Sequence, residues 1–474
     1  MTQRKLLYKN LFQVAFSRGS TLLSNIAIGF LLPRSLGVTG YGYYRVYALY
    51  FTYTALLHLG FIDGVLLRFA GKDYDSLDKS EMRAYTRFFG SFTLITSLLV
   101  CLSAVFISNS EYSFIAVVIG IEMFLNNMTL YYMYISQATK RFKEYSVRNI
   151  ASAVIKLVLV IVLYAIYLKG GTEVSYRIYL IAVVFIDAAL FLWYVYTYRE
   201  LTFGSAVPVA SLKSSIIGLF KTGFIIMIAY QVAHLVFILD NQFVSVFYDT
   251  DIFAVYAFAY SIITAVSSLI SSTSAVLLPM LKSLSGEGAM RYYDRTLTSV
   301  TCVAGLAMVL MYPLEWFIGW FLPKYAVSIG FLKIIMPSLM LSACISVVMF
   351  TFYKVLDKQR IYLYVGLGAL CVGFVSNALA QWIFASPYAI SWASVITVLL
   401  WYWLASFAFI KNYGHRPLKN FAYIAAISGA FYCATFARLP WWLAAAVYLF
   451  AYAVVTTLFY HKTVRQLITR DKGA

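Results

Sequence analysis

The chain has 474 residues, of which 62% are apolar and only 12% charged, and it carries a formal net charge of +18. A soluble domain holds roughly twice that charged share, so there is too little polar surface to coat two or three soluble domains, and lipid is the solvent that suits the composition. The five cysteines all lie in apolar runs without a C-x-x-C pair, which argues against a disulfide scaffold or a zinc ribbon.

Taken in chain order, a short basic stretch, Met1 to Asn10, precedes an apolar run too long for a signal-peptide core, and we read that run as a retained first spanning helix. Segments long enough to cross a bilayer, about 20 residues each, then recur along the whole chain. They are placed at 11–33, 41–68, 84–107, 112–137, 146–168, 176–198, 215–247, 253–279, 296–321, 328–352, 361–385, 388–410, 420–438 and 440–461. Two of them, 41–68 and 215–247, are long enough that tilting or kinking is expected. The predicted fold class is all-α: a polytopic membrane protein of about 14 transmembrane helices.

Charge placement gives the topology. With an even number of helices both termini share a side, and the loops and helix ends of that side hold 27 basic residues against seven on the other. The positive-inside rule puts the rich side, and both termini, in the cytoplasm. The positive charge is therefore a topology signal and a contact for anionic lipid, and no nucleic-acid partner is expected.

A repeat is also visible. Met82-Arg83-Ala84-Tyr85-Thr86-Arg87 matches Met290-Arg291-Tyr292-Tyr293-Asp294-Arg295. Gly40-Tyr41-Gly42-Tyr43-Tyr44 has an echo in Ile252-Phe253-Ala254-Val255-Tyr256, and Lys140-Arg141-Phe142-Lys143 aligns with Gln359-Arg360-Ile361-Tyr362. The three offsets, 208, 212 and 219 residues, run in one order. They predict two parallel six-helix lobes, 1–200 and 210–412, followed by two further helices and a tail in 413–474. Transporters built from such repeats place the substrate path between the halves.

Enzymatic signatures are missing. The longest loop is about sixteen residues, Arg199 to Ser214, Gly71-Lys72 lacks the glycine spacing of a phosphate-binding loop, and the four histidines are scattered. No catalytic residue, metal site or cofactor is expected.

Ionisable residues inside spanning segments cost about 2.5–3.5 kcal/mol each on insertion scales and so seldom face lipid. Arg18, Thr21 and Asn25 share a face of the first helix, and Tyr230, Gln231, His234 and Asn241 form the corresponding stripe on the seventh. These stripes would line a cavity or simply hydrogen-bond between helices; for Arg18 a wet cavity is the reading, because a guanidinium in lipid needs an anion or water. Lys156 and Asp187 fall at similar depth on neighbouring helices, as a structural ion pair or as a substrate or proton site. Lys221 lies near a helix end where it can snorkel, and His234 can titrate near neutrality or act as a hydrogen-bonded structural residue. Asp63 lies close in depth to Arg18, Glu122 is deeper and suited to a coupling cation, and Asp240, heading Asp240-Asn241-Gln242, is the acid of interest in the second half. Trp316/Trp320, Trp401/Trp403 and Trp441/Trp442 fall near predicted helix ends, where interfacial aromatic belts form.

Leu36-Gly37-x-x-Gly40-Tyr41-Gly42-x-Tyr44, and Leu59-Gly60-Phe61 followed by Arg68, resemble patterns of bacterial polysaccharide and O-antigen (Wzx-like) flippases, members of the multidrug/oligosaccharidyl-lipid/polysaccharide exporter superfamily. Asp240 through Tyr256 resembles the matching stretch of the second half, with Ala254 where that family usually has glycine. The resemblance implies two six-helix lobes in a V with alternating access. It also implies a substrate of undecaprenyl diphosphate bearing an oligosaccharide, carried to the outer leaflet of the plasma membrane, with a glycan polymerase and ligase as pathway partners. Arg18, with Lys156 or Lys221, would hold the diphosphate, and Asp63, Glu122, Asp187 and Asp240 are the groups for ion coupling or ion pairing. Rival readings are a lipid II flippase or a cation-coupled drug antiporter of the same superfamily, and from another class a membrane-embedded glycan polymerase or ligase.

Overall fold

The computed structural model describes residues 3–271, 277, 280–281, 284, 286–414 and 417–470; of 3–18 and 461–470 it describes the helix backbone alone. The side chain of Arg18 therefore lies outside the described residues. The chain forms two compact units, 1–234 and 235–474.

Unit 1 begins with α1, Gln3–Tyr53, a 51-residue helix kinked where Gly37 takes φ 72° and ψ −177°. A side chain there would be strained by that φ and would collide with the Glu173 carboxylate, so only glycine suits the break. A second break follows at Leu59 and Gly60, with φ of 50° and 79°, and then comes the nine-residue α2, Phe61–Phe69. The long segment expected at 41–68 is thus kinked as anticipated.

The remaining helices of unit 1 are α3, Lys79–Ser103, α4, Ser110–Ala138, α5, Phe142–Gly170, and α6, Tyr176–Thr197. Their ends are set by side chains that satisfy the free N–H groups of the first turn. Asp78 accepts from the Ser80 and Glu81 amides at 2.8 and 3.2 Å, and Asn109 accepts from Glu111 and Tyr112 at 2.9 and 3.2 Å. Gly171, with φ 64°, closes α5 in the left-handed conformation.

One end of unit 1 gathers the basic loops. The Gly71 amide donates to the Ala138 carbonyl at 2.9 Å. Arg83 reaches the Glu200 and Ser205 carbonyls at 2.8 Å each, Arg87 reaches that of Gly204, and Arg68 meets Glu81 at 3.1 Å. Lys79 and Arg141 lie over the Tyr74 ring at 3.5 and 4.5 Å, and burial pushes the Tyr74 hydroxyl up to about 12. The other end carries the Val174 amide on the Ser35 carbonyl at 2.9 Å and Arg177 on Glu111 at 2.9 Å. Between the ends lies an aromatic core in which Phe61 stacks on Phe89 at 5.0 Å and Tyr132 on Tyr198 at 5.8 Å.

The helix α7, Lys213–Phe247, runs 35 residues, and the boundary between the units falls inside it. At 1.5 Å per residue it spans about 50 Å, so it must tilt to keep its apolar part in the bilayer. Unit 2 continues with α8, Thr250–Ser271, α9, Gly288–Phe321, α10, Ser328–Ile335, and α11, Ser338–Val355. It ends with α12, Gln359–Phe384, α13, Pro387–Tyr413, α14, Leu418–Phe436, and α15, Trp441–Arg470. A wide turn at Cys344–Met349 interrupts α11. The last two helices are fixed by polar contacts: Tyr452 donates to the Cys302 carbonyl at 2.9 Å, Asn420 to the Tyr402 hydroxyl at 3.1 Å, and Tyr423 bonds Thr456 at 2.9 Å.

Among the described residues, twelve helices are long and apolar enough to cross a membrane, which makes this a polytopic all-α membrane protein. The expected count of about fourteen is not confirmed. The expected segments 11–33 and 41–68 meet in one span, Gly19–Leu56, and α14 carries Lys419 and Asn420 in its first turn, which dilute its hydropathy. One expectation is corrected. Trp316, Trp320, Trp441 and Trp442 are exposed as an interfacial belt requires, but Trp401 is fully buried and packs on Phe237 at 5.0 Å.

Candidate functional site

Two polar clusters sit within the membrane-crossing helices, one in each unit. In unit 1, the side chains of α5 and α6 project Lys156 and Asp187 toward each other. The ammonium contacts both carboxylate oxygens at 2.8 Å. Glu122, on α4, is 1% exposed, faces the same Asp187 and Lys156, and has one oxygen, Oε1, without a hydrogen-bond partner. The Tyr47 hydroxyl lies in the field of both acids. Two carboxyl groups thus share one ammonium. With both ionised the cluster carries a surplus negative charge in a low-dielectric setting, a state that a proton or another cation relieves.

In unit 2, Asp240 on α7 is 2% exposed. Its Oδ1 accepts from the Asn241 amide at 2.7 Å and from Asn241 Nδ2 at 3.0 Å. Its Oδ2 accepts from the Tyr256 hydroxyl at 2.8 Å and the Ser394 hydroxyl at 2.7 Å. No basic side chain pairs with it among the described residues. One turn beyond Ser394 on α13, Thr397 bonds Ser376 on α12 at 2.8 Å, beside Asn377. The side-chain oxygens of Asn241 and Asn377 are both buried and unpartnered. The Asp240 carboxylate is thus well supplied with neutral donors, Tyr260 among them, but has no counter-charge among the described residues, an arrangement that a proton or a cation would neutralise.

The other predicted residues are placed apart from these clusters. Asn25, Lys221 and His234 are exposed, and among the described residues no hydrogen bond or ion pair joins any of them to Lys156. Asp63 is buried beside His58, with Oδ2 3.9 Å from Nδ1, while Nδ1 accepts the Gly60 amide at 3.1 Å.

The family follows from more than half of the sequence: residues 7–285 match the model described as polysaccharide biosynthesis protein. The chain belongs to that family.

Several solved membrane proteins share the fold of this family member. It is similar to "Lipid II flippase MurJ, inward closed conformation", with a TM-score of 0.71 at 13% identity, over 96% of this chain and 100% of the other. It is similar also to an inward-facing multidrug resistance MATE family transporter of the MOP superfamily, with a TM-score of 0.62 at 13% identity, over 88% and 99% of the two chains. A mutant of the Vibrio cholerae MATE transporter VcmN gives 0.53 at 14% identity over 87% and 98%. No curated protein matches the chain.

Some residues of the two clusters were not singled out in the sequence of this family member. Tyr256 and Ser394 stand 16 and 154 residues from Asp240, and no local spacing links them. Tyr47 was one tyrosine among 40. The one usable signal was the pairing of depth on adjacent antiparallel helices, which pointed to Lys156 and Asp187.

Proposed function

We propose that the protein is a flippase that moves undecaprenyl-diphosphate-linked oligosaccharide from the cytoplasmic to the outer leaflet of the bacterial plasma membrane, for assembly of cell-surface polysaccharide. Membership of the polysaccharide biosynthesis family is the observation that carries this reading, and the transporter fold supports it. In this reading the basic end of unit 1 is cytoplasmic, both termini lie on that side, and the two repeats form lobes that rock to give alternating access. A glycan polymerase and ligase of the same pathway would take the product, and membrane lipids surround the path.

The chemistry assigns different work to different cations. Lys156 is neutralised by Asp187, so it is poorly placed to hold a diphosphate; Arg18 and the exposed Lys221 suit that role better, with Asn25 and His234 as polar lining. The Lys156–Asp187–Glu122 cluster and the Asp240 cluster suit ion coupling. Each holds more carboxylate charge than basic partners, which binding of a proton or small cation would neutralise, and the membrane potential acts on such a charge at about 2.3 kcal/mol per 100 mV. Asp63 belongs to the same set.

Lipid II is a second candidate substrate, favoured by the likeness to the lipid II flippase over nearly the whole chain. Depletion in cells separates the readings. The oligosaccharide flippase predicts lipid-linked oligosaccharide accumulating on the cytoplasmic leaflet. Accumulation of lipid II favours the second reading, and unpolymerised glycan already outside the cell favours a polymerase or ligase.

A further inference from the structure

Unit 1 carries a crevice that neither cluster uses. Between α5 and α6, within the membrane-crossing helices, lies an apolar recess of about 280 Å³. It exists because small residues, Ala151 on α5 and Ala189 on α6, stand where larger ones would fill the gap. Ile155, Phe185 and Trp193 form its walls and are 49%, 71% and 40% exposed, so the recess opens outward. In a bilayer such an opening faces acyl chains.

The end of the recess nearest the basic face is closed by a cation. The Arg148 guanidinium stacks 4.9 Å over the Trp193 ring and 4.5 Å over Tyr194, and it donates to the Glu144 carbonyl at 3.0 Å and to the Thr197 hydroxyl. Arg148 is 4% exposed and its Nε has no partner. The nearby Glu144 carboxylate is engaged by Arg141 at 3.3 Å. Lys143, eight residues before Ala151 and about 80° round α5 from it, and Arg199, just past the end of α6, are both exposed at this end. Two acids stand beside them in sequence, Glu144, which Arg141 engages, and Glu200.

An apolar recess at acyl-chain depth, capped by three cations at headgroup level, is complementary to a lipid with an anionic phosphate. Basic pockets between transmembrane helices are where anionic headgroups bind. We propose that the α5–α6 crevice is a binding site for one anionic phospholipid, its acyl chain in the recess and its phosphate at Lys143 and Arg199, with Arg148 behind. This holds whatever the transported substrate.

The test is native mass spectrometry of the full chain in detergent, titrated with dioleoylphosphatidylglycerol or dioleoylphosphatidylcholine. One phosphatidylglycerol should bind at least tenfold tighter than phosphatidylcholine. Removing each charge should weaken it about fivefold, so Lys143→Gln with Arg199→Gln brings it close to the phosphatidylcholine level. Ala189→Trp, which fills the recess, should remove the tight site, while Leu98→Trp on exposed α3 surface should leave it intact. Should Ala189→Trp fail to fold, the charge pair still decides. Equal affinity for the two lipids, or tight binding that survives the charge changes, overturns the proposal. So does a polyprenyl phosphate that displaces phosphatidylglycerol from the site, because the crevice would then belong to a polyprenyl lipid.

Discussion

Lys156 meets two acids, and that imbalance determines what each substitution does. Lys156→Met leaves Asp187 and Glu122 facing each other in lipid with no counter-charge, and removing one partner of a buried pair costs about 3 kcal/mol or more. Asp187→Asn is milder, because Glu122 remains to balance the ammonium. The double variant Lys156→Met/Asp187→Leu should recover much of the loss. A thermal denaturation series in detergent checks this: an additive double variant would mean that the two residues do not act as a pair. At Asp240 the expectation is reversed, with stability kept and transport lost. Asn can replace the acceptor that Tyr256 and Ser394 address, but not the charge, so Asp240→Asn should lower transport at least tenfold at unchanged expression. Wild-type transport in that variant would remove Asp240 from coupling.

At the scale of helices, α2 and the first part of α7 approach backbone to backbone. A Cβ added at Gly64 would strike the Leu219 backbone, and one at Gly223 would strike the backbone of Gly60 and Gly64. Close backbone approach through small residues is the main way helices adhere in lipid, where no hydrophobic force separates helix from solvent. Gly223→Ala should therefore destabilise unit 1 by about 1–3 kcal/mol, the usual cost of overpacking; Gly218→Ala, which meets nothing within 4 Å, should be nearly neutral. Equal effects of the two on denaturation midpoint would contradict the packing. This scale also shows what composition reveals and what it hides. Hydropathy located most of the spanning helices because lipid demands long apolar runs. Length anticipated a kink in 41–68 but could not put it at Leu59 and Gly60, which is a matter of two φ angles, and hydropathy placed Trp401 in a belt because it cannot distinguish lipid from a protein neighbour such as Phe237. The Lys156–Asp187 pairing was legible from helix spacing; the partners of Asp240 were not, since they come from distant helices.

For the whole molecule, the proposed account, supported by the family and the fold, is that a lipid-linked oligosaccharide crosses the bilayer through this chain, driven by a cation or proton bound at the two carboxylate clusters. Purified protein reconstituted into liposomes with undecaprenyl-diphosphate-linked oligosaccharide tests it most directly. The measurement is the fraction of the lipid that an external, membrane-impermeant glycosidase can reach, before and after a potential and a proton gradient are imposed. The account predicts that this fraction changes in wild-type vesicles, and that it changes far less with Asp240→Asn. An unchanged fraction in wild-type vesicles, matching protein-free liposomes, would contradict it.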